Sequence, residues 1–124
     1  MSVDLFFWGR QVKMSVRYEC SSGEEVQIIQ REAFQRIVSS PRMFDEALPA
    51  LEEYILRRDG NEIGCVVKEI FEFVDPKVLF IKRSDFQRVV AIMLDYRFDP
   101  EEGIAILFED ERLVSIGPQN LAFN

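Results

Sequence analysis

The sequence predicts an α+β fold: an antiparallel sheet, built from an N-terminal hairpin plus four C-terminal strands, with two to three helices packed on one face. Three observations carry this prediction. Apolar residues alternate near the start, recur at helical spacing in the middle, and form short continuous runs between turn residues in the last third. At 124 residues the chain fits one domain, spanning 1–124, with one core.

The clearest strand is Val12 to Tyr18, where Val12, Met14, Val16 and Tyr18 share one face and Lys13, Ser15 and Arg17 the other. Leu5 to Trp8 reads as its hairpin partner, turned by Gly9-Arg10. Ser22-Gly23-Glu24-Glu25 has capping-box spacing, so a helix is expected from Ser22. Its apolar stripe is Val26, Ile29, Ala33 and Ile37, with Phe34 and Val38 beside it and Gln27, Gln30, Arg31 and Gln35 opposite. Pro41 suits the first turn of a second helix, whose core side is Phe44, Ala47, Leu48, Leu51, Tyr54 and Ile55. Pro49 lacks an N–H and crowds the preceding turn, which predicts a kink or two short helices meeting at Leu48. Asp59-Gly60-Asn61 should stop that segment.

Residues 65–74 fit a helical face better than an alternating strand, and Asp75-Pro76 should close them. The four C-terminal strands are Val78–Ile81, Arg88–Tyr96, Ile104–Phe108 and Leu113–Ile116. Their short connections, Phe98–Glu102 and Glu109–Glu111, favour antiparallel hairpins. Being apolar on both sides, these runs should be covered on both faces or central in the sheet.

Composition narrows the function. Histidine is absent, which removes the commonest acid–base group and the usual ligand of transition metals. Cys20, Cys65 and the serines therefore have no histidine to activate them, and no phosphate-binding glycine loop is present. A non-catalytic protein without metal or cofactor is expected. The 22 acidic side chains exceed the 15 basic ones, and a net charge of −7 opposes nucleic acid and favours a basic protein partner. A local basic cluster, Lys77, Lys82, Arg83 and Arg88 with Phe80 and Phe86 interleaved, should pair with nearby acids. No apolar run is long enough to cross a bilayer and no leader pattern is visible, so a cytoplasmic protein is expected. Cys20 and Cys65 read as reduced thiols, with a disulfide between them the alternative.

Lys77–Arg83 (KVLFIKR), Phe98-Asp99-Pro100-Glu101-Glu102-Gly103 with its following strand, and Ile116-Gly117-Pro118-Gln119-Asn120 resemble an uncharacterised family of small bacterial α+β domains. That family carries a strand ending in Ile-Lys-Arg, an Asp-Pro-Glu-X-Gly hairpin and a closing Gly-Pro-Gln motif. The resemblance covers the C-terminal third and the early Trp8, and the helical middle in outline. One departure stands at Glu102, where the family often carries histidine. The resemblance implies a bacterial source and the α+β fold, and by analogy an immunity-type inhibitor. Turn chemistry accounts for the same motif: Asp99 bonds backbone N–H groups, Pro100 presets φ, and Gly103 permits positive φ.

Acidity concentrates between Asp95 and Arg112, where Asp95, Asp99, Glu101, Glu102, Glu109, Asp110 and Glu111 face only Arg97 and Arg112. These seven are the candidate partner-binding residues. In an antiparallel hairpin they divide into two patches, at opposite ends of one strand. The expected function is an acidic binding protein, in its most specific form an immunity protein blocking a basic toxin. The alternative is a self-associating structural or accessory domain, joined through strand edges or exposed Phe6, Trp8 or Phe123.

Overall fold

A computed structural model describes residues 1–123; Asn124, the last residue of the expected domain, lies outside the described residues. Six strands form one sheet in the order β1-β2-β3-β4-β5-β6: Ser2–Phe7, Arg10–Tyr18, Val74–Lys82, Val89–Tyr96, Asp99–Glu109 and Arg112–Gly117. Two helices, α1 (Ile28–Ser39) and α2 (Arg42–Ile63), separate β2 from β3. Every neighbouring pair is antiparallel except β2 and β3, which run parallel, with Ser15 opposite Val78 and Tyr18 opposite Ile81. The expected antiparallel sheet is therefore mixed. The two-helix excursion carries the chain from the C-terminal end of β2 back to the level of its N-terminal end, and such a crossover delivers a parallel strand.

The opening hairpin turns at Trp8-Gly9, not Gly9-Arg10, because Phe7 pairs with Arg10. Both turn residues have positive φ, 53° and 82°, as a two-residue hairpin of the right twist demands. At Ser22 the expected helix start is a turn instead, where Glu24 accepts the Ser21 N–H. α1 begins six residues later, once Gln30 Oε1 accepts the Gln27 N–H at 2.9 Å. Gln30, placed by periodicity on the polar face, is 1% exposed; its Nε2 donates to the carbonyls of Glu19 and Ile81. It ties α1 to the end of β3.

α2 passes through Pro49 without a break, and its one non-helical residue is Asp59 (φ −132°, ψ 30°). Phe44, Ala47, Leu51 and Ile55 are fully buried on either side of the proline, and that packing holds the axis against the sheet. The break falls at the first residue of the expected stop, Asp59-Gly60-Asn61, and a further turn follows it to Ile63. In the segment 65–74 only Ile70–Glu72 is helical, as a single 3₁₀ turn, so the expected helix is mostly loop. Asp75-Pro76, expected to end that segment, lies inside β3, with Pro76 at a register shift where a strand tolerates its missing donor.

α1 and α2 cover one face, where Phe7, Met14, Leu79, Ile92, Leu94, Ile106 and Phe108 meet Ile37, Phe44, Leu51 and Ile55. A smaller cluster of Phe80, Ala91 and Ala105 fills the middle of the other face under Ala122 of a C-terminal 3₁₀ turn, Gln119–Phe123. That two-sided cover explains the unbroken apolar runs of the central strands. Among the described residues no helix is long and apolar enough to cross a membrane.

Candidate functional site

β5 places the seven candidate acids. It is 11 residues long, so its two ends lie roughly 30 Å apart at the usual strand rise. Asp95, Asp99, Glu101 and Glu102 gather at one end of the β4–β5 hairpin, and Glu109, Asp110 and Glu111 at the other. The structure does not bring the two sets together.

At the second end Asp110 and Glu111 are engaged within the fold. Asp110-Glu111 is the β5–β6 turn, both residues at positive φ (47° and 65°), with Glu109 opposite Arg112. Glu111 accepts two hydrogen bonds from Arg88, at 2.8 and 3.0 Å, and Asp110 accepts the Arg88 N–H at 3.1 Å. These bonds join the β3–β4 loop to the β5–β6 turn. They also take one member from the basic cluster; Lys77 pairs with Asp75 at 2.9 Å and Arg83 with Glu24 at 3.2 Å. Phe80 is buried, whereas Phe86, between Arg83 and Arg88, is 91% exposed.

The first end is different. Asp99 is structural: it pairs with Arg58, and its Oδ1 accepts the Glu102 N–H at 3.1 Å. The Arg58 guanidinium, then the Glu102 N–H, hold its carboxyl below the usual aspartate range. Asp95, Glu101 and Glu102 are exposed and, among the described residues, form no salt bridge. Asp95 stands opposite Asp75 across β3 and β4, a like-charge pairing that ordinarily destabilises a sheet. Lys77 partly offsets it, its ammonium pKa raised by the bond to Asp75, then by that residue's charge and by Asp95. A cleft of about 360 Å³ opens here, lined by Phe71, Phe73 and Pro100, by the acids Glu72, Asp75 and Asp95, and by one base, Arg97. Sequence reasoning missed Glu72 and Asp75, because they precede the charged stretch and reach it only through β3 pairing.

Two motif fragments far apart in sequence meet at one backbone atom, the carbonyl oxygen of Leu94. Gln119 Nε2 donates to it at 3.1 Å. Gly103, at φ +61°, passes so close that a Cβ would lie 2.4 Å from it. The Asp-Pro-Glu-Glu-Gly and Gly-Pro-Gln stretches thus build the irregular end of β4 and β5.

Behind this end, Tyr96 is 1% exposed and its hydroxyl donates to Asp59 at 2.6 Å, across the break in α2. Burial, then the bond to Asp59 and its negative charge, hold the phenol pKa well above the ordinary tyrosine value, while Arg58 opposes them. A pKa raised by folding contributes stability that is complete below the unfolded value near pH 10 and lost as pH rises beyond it. Unfolding by urea at a series of pH values should show stability falling above about pH 10. Tyr96→Phe should flatten that fall and cost about 1.5–3 kcal/mol at neutral pH, the usual loss for a hydrogen bond to a charged group. Tyr18, raised by burial, leaves a residual slope. An unchanged alkaline slope in the variant would refute this assignment.

Cys20 and Cys65 are both free and exposed. Trp8 is buried, so it is not available for self-association; Phe6 and Phe123 are exposed. Among the described residues no three cysteine or acidic side chains converge closely enough to hold a metal ion. Residues 1–123 match the model of a family described as a domain of unknown function (DUF6985). No curated protein and no solved structure matches the chain.

Proposed function

This chain belongs to the DUF6985 family, a domain of unknown function, and from that premise we propose that it is a non-catalytic acidic binding protein whose partner is a basic protein. The observation that carries the reading is the facing pair Asp75 and Asp95, with Glu72 edging the same cleft and Glu101 and Glu102 exposed at the same end. Like charges facing one another on a sheet are relieved by an arriving cation. Phe73 and Pro100 suit the aliphatic stem of a lysine, and Phe71 already carries the Arg10 guanidinium over its ring at 4.1 Å. In its most specific form the protein is a bacterial cytoplasmic immunity-type inhibitor, its carboxylates covering the cationic site of a toxin.

The test is capture from host lysate with the whole chain as bait, at low and high salt. A basic protein retained at low salt and released at high salt is expected, since charge-steered association weakens with ionic strength. The Asp95→Asn/Glu101→Gln/Glu102→Gln variant should lose most of that capture while melting like the parent. Recovery of no basic protein, or capture indifferent to both salt and the triple substitution, would refute the proposal.

A further inference from the structure

Resting on the basic-partner reading above, we infer that Arg58 is a positioning residue for that binding site: from outside the cleft it fixes one foot of a strand bulge that presents Glu101 and Glu102. The bulge is written in the register. Between the pairs Leu94–Ile104 and Tyr96–Asp99, β4 supplies one residue, Asp95, and β5 supplies four, Pro100 to Gly103. The surplus residues cannot stay in the ladder, so the chain bows out there. Pro100, Glu101 and Glu102 are exposed and Gly103 is buried. Acids that must meet a cation in one geometry bind better when they are held there beforehand.

The two feet of the bulge are held differently. At Gly103 the backbone rests on the Leu94 carbonyl oxygen, so close that a Cβ would lie 2.4 Å away. At Asp99 the foot is a carboxylate shared between two donors. Its Oδ1 accepts the Glu102 N–H at 3.1 Å, and its Oδ2 takes the Arg58 guanidinium from α2. Arg58 is itself steadied at the break in α2, with Nε 3.6 Å from Asp59 Oδ2 and the guanidinium carbon 5.4 Å from the centre of the Tyr96 ring. A single side chain from α2 thus governs the carboxylate that closes the bulge. Arg58 lines the groove between α2 and β6, whereas the cleft begins at Pro100, one residue past Asp99.

Charge and position predict opposite signs. By charge alone, removing a cation beside an acidic site strengthens its attraction for a basic partner. By position, removing Arg58 weakens it. Two measurements on the full chain decide: exchange of the Glu102 amide proton, followed by NMR, and calorimetric binding of an oligolysine peptide. Arg58→Met should speed Glu102 exchange by at least about threefold and weaken oligolysine binding by a similar factor. Arg58→Lys keeps the charge but not the fork of donors, and should show a smaller loss in the same direction. Arg58→Met/Asp99→Asn keeps the net charge at −7 and should bind no more tightly than Arg58→Met, because both changes cut one link. Unchanged Glu102 exchange in the Arg58 variants, or Arg58→Met binding oligolysine as well as the parent or better, would overturn the proposal. A parent that binds no oligolysine, or binds it equally after Asp95→Asn/Glu101→Gln/Glu102→Gln, would instead refute the basic-partner reading, while faster Glu102 exchange in Arg58→Met would still establish the positioning.

Discussion

Trp8→Ala is expected to destabilise the fold by about 3–5 kcal/mol, the range for truncating a large buried aromatic. Trp8 occupies a hairpin turn, ordinarily an exposed place, yet it is 8% exposed. Its ring meets Phe7 edge-on at 5.0 Å and Phe71 at 5.9 Å, and Phe7 in turn meets Phe44. Its indole N–H donates to the Phe44 carbonyl at 2.7 Å, and its backbone N–H donates to Asp45, also at 2.7 Å. One residue thus clamps the β1–β2 turn to the first turn of α2. Alanine keeps the backbone bond but loses the ring packing and the indole bond. Trp8→Phe keeps most of the packing and should cost less, with about 1 kcal/mol of its loss from the missing N–H. Urea unfolding followed by circular dichroism measures both, since Trp8 is the only tryptophan and its fluorescence would vanish with it. A loss below about 1 kcal/mol for Trp8→Ala would contradict the clamp.

Gly103→Ala is expected to cost at least about 2 kcal/mol, because two penalties combine. The first is the left-handed backbone at φ +61°, which an L side chain resists. The second is steric: the new Cβ would lie 2.4 Å from the Leu94 carbonyl oxygen and 2.6 Å from Gln119 Nε2. The glutamine tip can swing away, but the carbonyl belongs to a central strand and cannot. Gly9→Ala separates the terms, since Gly9 shares the positive φ and has nothing within 4 Å of its would-be Cβ. It should lose only about 1–2 kcal/mol. Equal losses at Gly9 and Gly103 would show that the close approach is absent, as would full rescue of Gly103→Ala by Gln119→Ala.

Much of the architecture was legible before any coordinates. Val12 to Tyr18 alternates because one face of β2 is wet, and the stripe Phe44, Ala47, Leu51, Ile55 marks the buried side of α2. The Asp99–Glu102 bond and the positive φ of Gly103 follow from turn chemistry that acts within a few residues. The errors cluster where distant parts of the chain decide. Gln30 looks like a surface residue by periodicity, yet it is buried because the Ile81 carbonyl, 51 positions away, needs a donor. Pro49 should kink an isolated helix, but the residues around it keep helical dihedrals in α2, which packs against the sheet. Asp99 and Glu111 stood among the candidate partner-binding acids, and Arg58 and Arg88 claim them from elsewhere in the chain.

By itself the sequence determined the α+β class, the order of the six strands and the two long helices, the inward side of β2 and α2, and the division of the acidic stretch between two strand ends. These follow from side-chain periodicity and local turn chemistry, which are properties of short segments. Only the tertiary structure decided that β2 and β3 run parallel, that Trp8 and Gln30 are buried, and which carboxylates gather beside the cleft. Those outcomes depend on groups that become neighbours only when the whole sheet assembles, so no local pattern encodes them.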